Sequence, residues 1–127
     1  MTPRVSIVIP AYNEGEHIEA SISRILEAVT LPCELMVVYD SYDDTTRPFV
    51  EAYASQDKRV RGEINEYGRG PANAIRWGID QAVAPVAVVT MADGCDDPSQ
   101  IDTLTRLVER ARLLEALRHP APRLLVL

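Results

Sequence analysis

Apolar residues follow two alternating rhythms along this chain. Short β-branched runs, Val5-Ser6-Ile7-Val8-Ile9, Leu35-Met36-Val37-Val38-Tyr39 and Val86-Ala87-Val88-Val89-Thr90-Met91, are separated by longer segments in which apolar positions recur every three or four residues. Continuous apolar runs of this length are how strands buried on both faces of a parallel sheet read. Helical spacing is carried by Ile18, Ile22, Ile25, Leu26 and Val29, and by Phe49, Val50 and Tyr53 within residues 46–56. It returns in Ala72, Ile75, Ile79 and Ala82 with Trp77, and again in Ile101, Leu104, Leu107, Val108, Ala111 and Leu114. Pro10 stops the first run, and Pro98 suits the first turn of the last helix. A weaker strand over residues 60–65 fills the remaining gap. Strands alternating with helices, over connections too long for hairpins, predict parallel strands joined by right-handed crossovers. The expected fold is α/β: a Rossmann-like, doubly wound, mainly parallel sheet with helices on both faces. Such sheets bind ligands at the carboxyl ends of their strands, so the informative loops follow Ile9, Tyr39, Asn65 and Met91.

Those loops carry Pro10-Ala11-Tyr12-Asn13-Glu14, Asp40-Ser41-Tyr42-Asp43-Asp44-Thr45-Thr46, Gly68-Arg69-Gly70 and Asp93-Gly94-Cys95-Asp96-Asp97. Composition narrows what they can do. A chain of 127 residues, 46% hydrophobic, suits one compact domain. Its formal charge of −6 argues against binding a nucleic-acid backbone, which needs a basic face. The acidic residues must therefore solvate, cap or hold metal. The longest nearly uncharged stretch, residues 81–92, contains Pro85 and falls short of the roughly 20 residues that span a bilayer. No charged leader and apolar core open the chain, which predicts a cytoplasmic protein, peripheral to a membrane at most. Cys33 and Cys95 lack CxxC spacing and read as reduced thiols. His17 and His119 make no recognisable zinc set with them. The first loop lacks GxGxxG and Gly68-Arg69-Gly70 is no Walker A loop, so dinucleotide binding and ATP hydrolysis are disfavoured.

The segment Ser6-Ile7-Val8-Ile9-Pro10-Ala11-Tyr12-Asn13-Glu14 resembles the opening strand and loop of family 2 glycosyltransferases with the GT-A fold, in the flavour of the polyprenyl-phosphate sugar transferases. Three further blocks fall in the family's order: residues 37–46, then Gly68-Arg69-Gly70-Pro71-Ala72-Asn73-Ala74 with Gly78, then residues 91–98. The resemblance covers residues 4–109. It implies that Pro10, Ala11, Tyr12 and Glu14 line a pocket for base and ribose. Asp40 would contact the nucleoside, with Tyr39 and Tyr42 replacing the usual neighbours. Arg69 would face the diphosphate, whose oxygens its planar fork can bind in pairs. The acidic block would hold Mg²⁺ or Mn²⁺ through Asp93, joined by Asp96 or Asp97, although Met91 stands where the family's first Asp is expected. Each assignment has a plainer counterpart: Glu14 can favour a helix start, Asp43, Asp44 and Thr45 a turn and cap, Asp96 and Asp97 the next helix.

By resemblance, then, the chain binds a nucleoside-diphosphate sugar for inverting transfer to an acceptor, a polyprenyl phosphate among the candidates. Residues 1–109 form the donor-binding region and residues 110–127 an Arg-, Leu- and Pro-rich tail in which no function is legible and whose one trace of a fifth strand is the stub Leu124-Leu125-Val126-Leu127. The general base and acceptor site of the family lie in a later segment, so no catalytic base is assigned. The expectation is an incomplete enzyme that binds donor and transfers little. A noncatalytic nucleotide-sugar-binding remnant or assembly partner is the alternative. An exposed sheet edge where later strands would pair predicts self-association.

Overall fold

Each βα unit expected from the apolar rhythm forms. The computed structural model describes residues 2–115 and, as backbone, the strand Leu124–Val126. The elements are β1 (Val5–Pro10), α1 (His17–Ala28), β2 (Cys33–Tyr39), α2 (Arg47–Gln56), β3 (Val60–Ile64), α3 (Pro71–Gln81), β4 (Val86–Val89), α4 (Gln100–Glu115) and β5 (Leu124–Val126). All pairings are parallel, in the order β3-β2-β1-β4-β5. Every residue of β1, β2 and β4 is buried, as a strand covered on both faces must be.

Alternation along these strands sorts the core into two layers. Val5, Ile7 and Ile9 of β1, Leu35 and Val37 of β2 and Val86 and Val88 of β4 pack against Ile18, Ile22 and Ile25 of α1, Val50 of α2 and Ile101 of α4. Val8, Met36, Val38 and Val89 point the other way, onto Ala74, Ile75 and Trp77 of α3. Full burial of one such aliphatic side chain contributes about 1.5–3 kcal/mol, so the α1 stripe alone anchors that helix. Tyr39, expected beside the site, is instead 2% exposed in the first layer. Burial, with Glu51 nearby, pushes its hydroxyl up to about 12.

The boundaries differ from expectation where side chains take over from the ladder. Strand β4 stops at Val89 because the Met91 N–H turns to Asp96 Oδ2 at 3.2 Å, although Thr90 N still donates to Val8 O. Pro98 lies in the turn before α4, not in its first turn, and that turn is closed by Ser99 N and Oγ donating to Asp97 Oδ1. The helix continues past Arg110 to Glu115, and the tail's stub supplies β5, bonded along Ala87–Val89 of β4. On this side of the sheet β5, paired with β4, is the edge strand. The helix extension expected to Arg118, and His119, lie outside the described residues.

Asp102 fastens α4 to the α1–β2 connection. Nine per cent exposed, it accepts bonds from Thr30 N (3.0 Å), Thr30 Oγ1 (2.6 Å) and Leu31 N (3.3 Å). Burial opposes its ionisation, but the bonds from Thr30 and Leu31 outweigh burial and hold its carboxyl below the usual range. A lowered folded pKa contributes stability that is present above the ordinary Asp value of about 4 and is lost as pH falls through the folded value. Asp102→Ala should therefore melt below wild type at neutral pH, with the gap closing as pH is taken below about 4. A gap independent of pH would show that the ionised carboxylate is not what matters.

Candidate functional site

The chain leaves β1 for β2 and β3 on one side, then crosses through α3 to β4 on the other. Adjacent strands β1 and β4 therefore feed loops in opposite directions, which opens a crevice at their carboxyl ends. A cleft of about 400 Å³ occupies this position, lined by Pro10, Ala11, Tyr12, Glu14, Asp40, Arg69, Gly70, Pro71, Ala74 and Met91. Its size is that of a small-ligand site.

The β1 loop is set by its neighbour. Ala11 N donates to Val38 O (2.9 Å), and Asn13 then turns the chain at φ 48°, a left-handed conformation that Asn tolerates. Both Asp44 oxygens accept the Asn13 N–H, Thr46 Oγ1 accepts Glu14 N at 2.9 Å, and Asn13 Oδ1 accepts Thr45 N at 3.1 Å. Asp44 and Thr46 are buried. Asp44 Oδ1 also accepts Thr46 N at 2.7 Å, so the expected turn at the start of α2 forms on Asp44 and doubles as a joint between two loops, while the Thr46 side chain makes no cap bond to α2. Tyr12 is left 69% exposed on the cleft wall. Tyr42 lies outside the cleft, under the Arg47 guanidinium at 3.6 Å from its ring centre.

Asp40 closes β2 and holds the loop after β3. Its Oδ1 accepts Asn65 Nδ2 (2.9 Å) and its Oδ2 accepts Gly70 N (3.0 Å). Gly68 and Gly70 have φ of 103° and 116°, values that L side chains rarely adopt, so the Gly-Arg-Gly spacing is dictated by the backbone path. Arg69 is exposed between them, and no carboxylate pairs with its guanidinium among the described residues. A cation without a partner beside a concave wall is placed to meet an anion.

The loop after β4 divides the acidic block. Asp93 lines a smaller depression with Glu14, His17, Ser21, Arg24 and Ala92, adjoining the main cleft through Glu14, which borders both. Asp96 Oδ2 accepts Thr90 Oγ1 (2.8 Å) and Met91 N, and Asp97 accepts Ser99, so both carboxylates organise the loop rather than join Asp93. Side-chain and backbone donors of Ser99 hold the Asp97 carboxyl below its ordinary range. Cys95 is exposed, and the Asp93 carboxylate beside it pushes its thiol up; Cys33 is buried, and burial pushes its thiol up. Both are free, as expected.

A divalent ion on a nucleotide diphosphate needs one or two carboxylates, with phosphate oxygens and waters completing its shell. Asp93 fits that role: it is exposed, and its hydrogen bonds are local ones to Cys95, whose N–H it accepts at 3.0 Å and whose thiol it also meets. Met91 borders the main cleft, and a thioether is a poor ligand for a hard cation. No cluster of three acidic, His or Cys side chains stands ready for an ion among the described residues.

Of the residues singled out from sequence, Pro10, Ala11, Tyr12, Glu14, Asp40 and Arg69 share one cleft, while Asp93 sits one depression away. The joint of Asp44 and Thr46 and the amide of Asn65 are site architecture that the sequence reading misses. A signal for Asn65 exists: an Asn ending a strand before a glycine loop commonly bonds the backbone two residues on, and here its Oδ1 accepts Tyr67 N at 2.9 Å. No helix among the described residues is long and apolar enough to cross a membrane.

Comparison with known proteins agrees with this layout. The model for glycosyl transferase family 2 matches residues 6–116. The undecaprenyl-phosphate 4-deoxy-4-formamido-L-arabinose transferase of Pectobacterium carotovorum is 35% identical over 111 residues, covering 84% of this chain and 33% of its own. The undecaprenyl-phosphate mannosyltransferase of Micrococcus luteus is 30% identical over 115 residues, covering 87% and 46%. Among solved structures, mannosyltransferase PcManGT from Pyrobaculum calidifontis, in complex with GDP-Man and Mn²⁺, superimposes with a TM-score of 0.65 at 29% identity, over 86% of this chain and 32% of that one. The chain thus spans about a third to a half of the length of these relatives. The family model over residues 6–116 and these relatives show that the chain belongs to glycosyltransferase family 2, with the GT-A type of fold.

Proposed function

We propose that this chain binds the nucleotide part of a nucleoside-diphosphate sugar in the cleft at the β1–β4 crevice, as the donor region of a sugar transferase. The observation that carries the reading is the convergence of six residues from three separate loops on one 400 Å³ cleft. Pro10, Ala11 and Tyr12 offer an apolar and aromatic wall for a base, and Glu14 and Asp40 offer carboxylate acceptors for ribose hydroxyls or base N–H groups. Arg69, lacking an acidic partner among the described residues, would hold diphosphate oxygens. The Mg²⁺ or Mn²⁺ expected here, Mn²⁺ being the ion present with donor in the Pyrobaculum relative, would, if bound by Asp93, stabilise charge developing on the departing diphosphate.

The reaction so supported is attack by an acceptor oxygen on the anomeric carbon, with cleavage of the bond to the diphosphate and inversion at that carbon. A polyprenyl phosphate is the acceptor that the Pectobacterium and Micrococcus relatives favour; its attacking oxygen is already anionic and asks little of a general base. What these residues do is bind and orient the donor at the carboxyl ends of β1 and β4.

Calorimetric titration with UDP, GDP and their sugar conjugates, with and without Mn²⁺, tests the reading. Saturable binding of one nucleotide, tightened by Mn²⁺ in wild type but not in Asp93→Ala, is the expected result. Failure of every nucleotide to bind under either condition would end it.

A further inference from the structure

Asn65 is 6% exposed, and its amide makes three hydrogen bonds within one loop system, with both of its protons used. Nδ2 donates to Asp40 Oδ1 (2.9 Å) and to Gly68 O (2.6 Å), and Oδ1 accepts Tyr67 N (2.9 Å). Its backbone N–H donates to Tyr39 O (2.8 Å), which seats it at the end of the sheet. Asp40 adds a further contact, taking Gly70 N on its other oxygen at 3.0 Å. The carbonyl before Arg69 and the N–H after it are therefore both gripped, one by Asn65 and one by Asp40, and Asp40 itself borders the cleft.

Only a primary amide meets these demands together. It must present two protons, to a carboxylate and to a carbonyl, while accepting a third. An isosteric carboxylate at this position would present none, and would face Asp40 as a like charge.

We propose that Asn65 is a positioning residue for diphosphate recognition: it locks Asp40 to the Gly68-Arg69-Gly70 loop, so that the nucleoside end and the phosphate end of a ligand are read by one rigid unit. This rests on the reading of the cleft as a nucleotide-sugar site and assigns a role within it. Asn65 touches no ligand itself. Its removal lets Arg69 drift, which weakens capture of a diphosphate more than capture of a monophosphate that reaches Arg69 less fully.

The test compares Asn65→Asp with wild type, measuring calorimetric affinities for GDP, GMP, UDP and UMP between about pH 5 and 8. Thermal melts establish that each variant is folded. In Asn65→Asp the introduced carboxyl and that of Asp40 would lie where one proton can be shared, and that proton restores a bridge as pH falls. Expressed as a ratio to wild type at each pH, diphosphate affinity should fall about tenfold at pH 8 and recover toward pH 5, with monophosphate affinity falling severalfold less. The ratio removes the titration of the ligand's own phosphate. The charged neighbours of the pair are Arg69 and, through Tyr67, Asp80 and Arg76: the Tyr67 hydroxyl donates to Asp80 at 2.6 Å, which holds it above the ordinary tyrosine range, and its ring lies under Arg76. Asn65→Ala removes both donors without adding a charge; it should lose diphosphate affinity severalfold more than monophosphate affinity, about equally at every pH, and it serves as the readout if the aspartate variant does not fold.

Equal losses for diphosphate and monophosphate at every pH would overturn the proposal, as would a folded variant that binds diphosphate like wild type at pH 8. A wild-type chain that binds no nucleotide removes the nucleotide-site reading itself, a result distinct from either.

Discussion

Arg69→Ala should weaken binding of a nucleoside diphosphate by between one and two orders of magnitude while changing binding of the nucleoside little. Hydrogen bonds to charged groups contribute about 1.5–3 kcal/mol each, and every 1.4 kcal/mol is tenfold in affinity. Arg69 is exposed on the cleft, flanked by two glycines at positive φ, and free of acidic partners among the described residues. Nothing in the fold needs its charge, so the variant should melt near wild type. Arg69→Lys keeps a point charge but loses the planar fork, and should recover part of the affinity. Titrations of the three proteins with UDP, GDP and the parent nucleosides decide the matter. If the alanine variant binds diphosphate as tightly as wild type, the guanidinium does not face the phosphates.

Gly78→Val should be the most damaging single substitution in α3. Gly78 is buried where the helix lies on β1 and β2, and a Cβ there would overlap Val8 Cγ1 and come within 3.3 Å of Val38 Cγ2. Helix α3 is the cover for Val8, Met36 and Val38, so relief requires lifting it from the sheet. Overpacking a tight core costs about 1–3 kcal/mol, and a branched side chain at this distance belongs at the upper end. The melting temperature should fall by roughly 10 °C for a domain of this size. Gly78→Ala should fall less, because the gain in helix propensity of about 1 kcal/mol offsets part of the strain. Circular dichroism melts of both give the comparison, and a valine variant that melts with wild type would mean that the helix is not seated as closely as described.

The sheet and its helices are legible because the local signals and the tertiary demand agree. A β-branched run such as Val5 to Ile9 can be satisfied only by burial on both faces, and it is so buried. The apolar pattern overextends the strands at Met91 and Asn65 because side chains there compete for the backbone: Asp96 captures the Met91 N–H, and Asn65 turns its amide into the loop. Motifs locate the chemical groups of all four loops, and six of the seven expected site residues share the cleft. The exception is Asp93, displaced to the adjoining depression by the turn at Gly94, whose φ is 80°. Sequence could not reveal that Asp44 serves the β1 loop 31 positions away, since a turn signal specifies a bend and not its partner. Nor could it show which layer receives Tyr39, which alternates with Leu35 and Val37 onto the side of α2, where Gly62 leaves room for its hydroxyl.

The joint between the first two loops divides labour among neighbouring side chains. Asn13, Asp44 and Thr46 hold two crossovers together, with the Glu14 backbone as their anchor. Tyr12 stands beside them with its ring in the open, outside every bond of that joint. A lineage can therefore exchange the residue at position 12, and with it the surface offered to a ligand, without rebuilding the frame beneath.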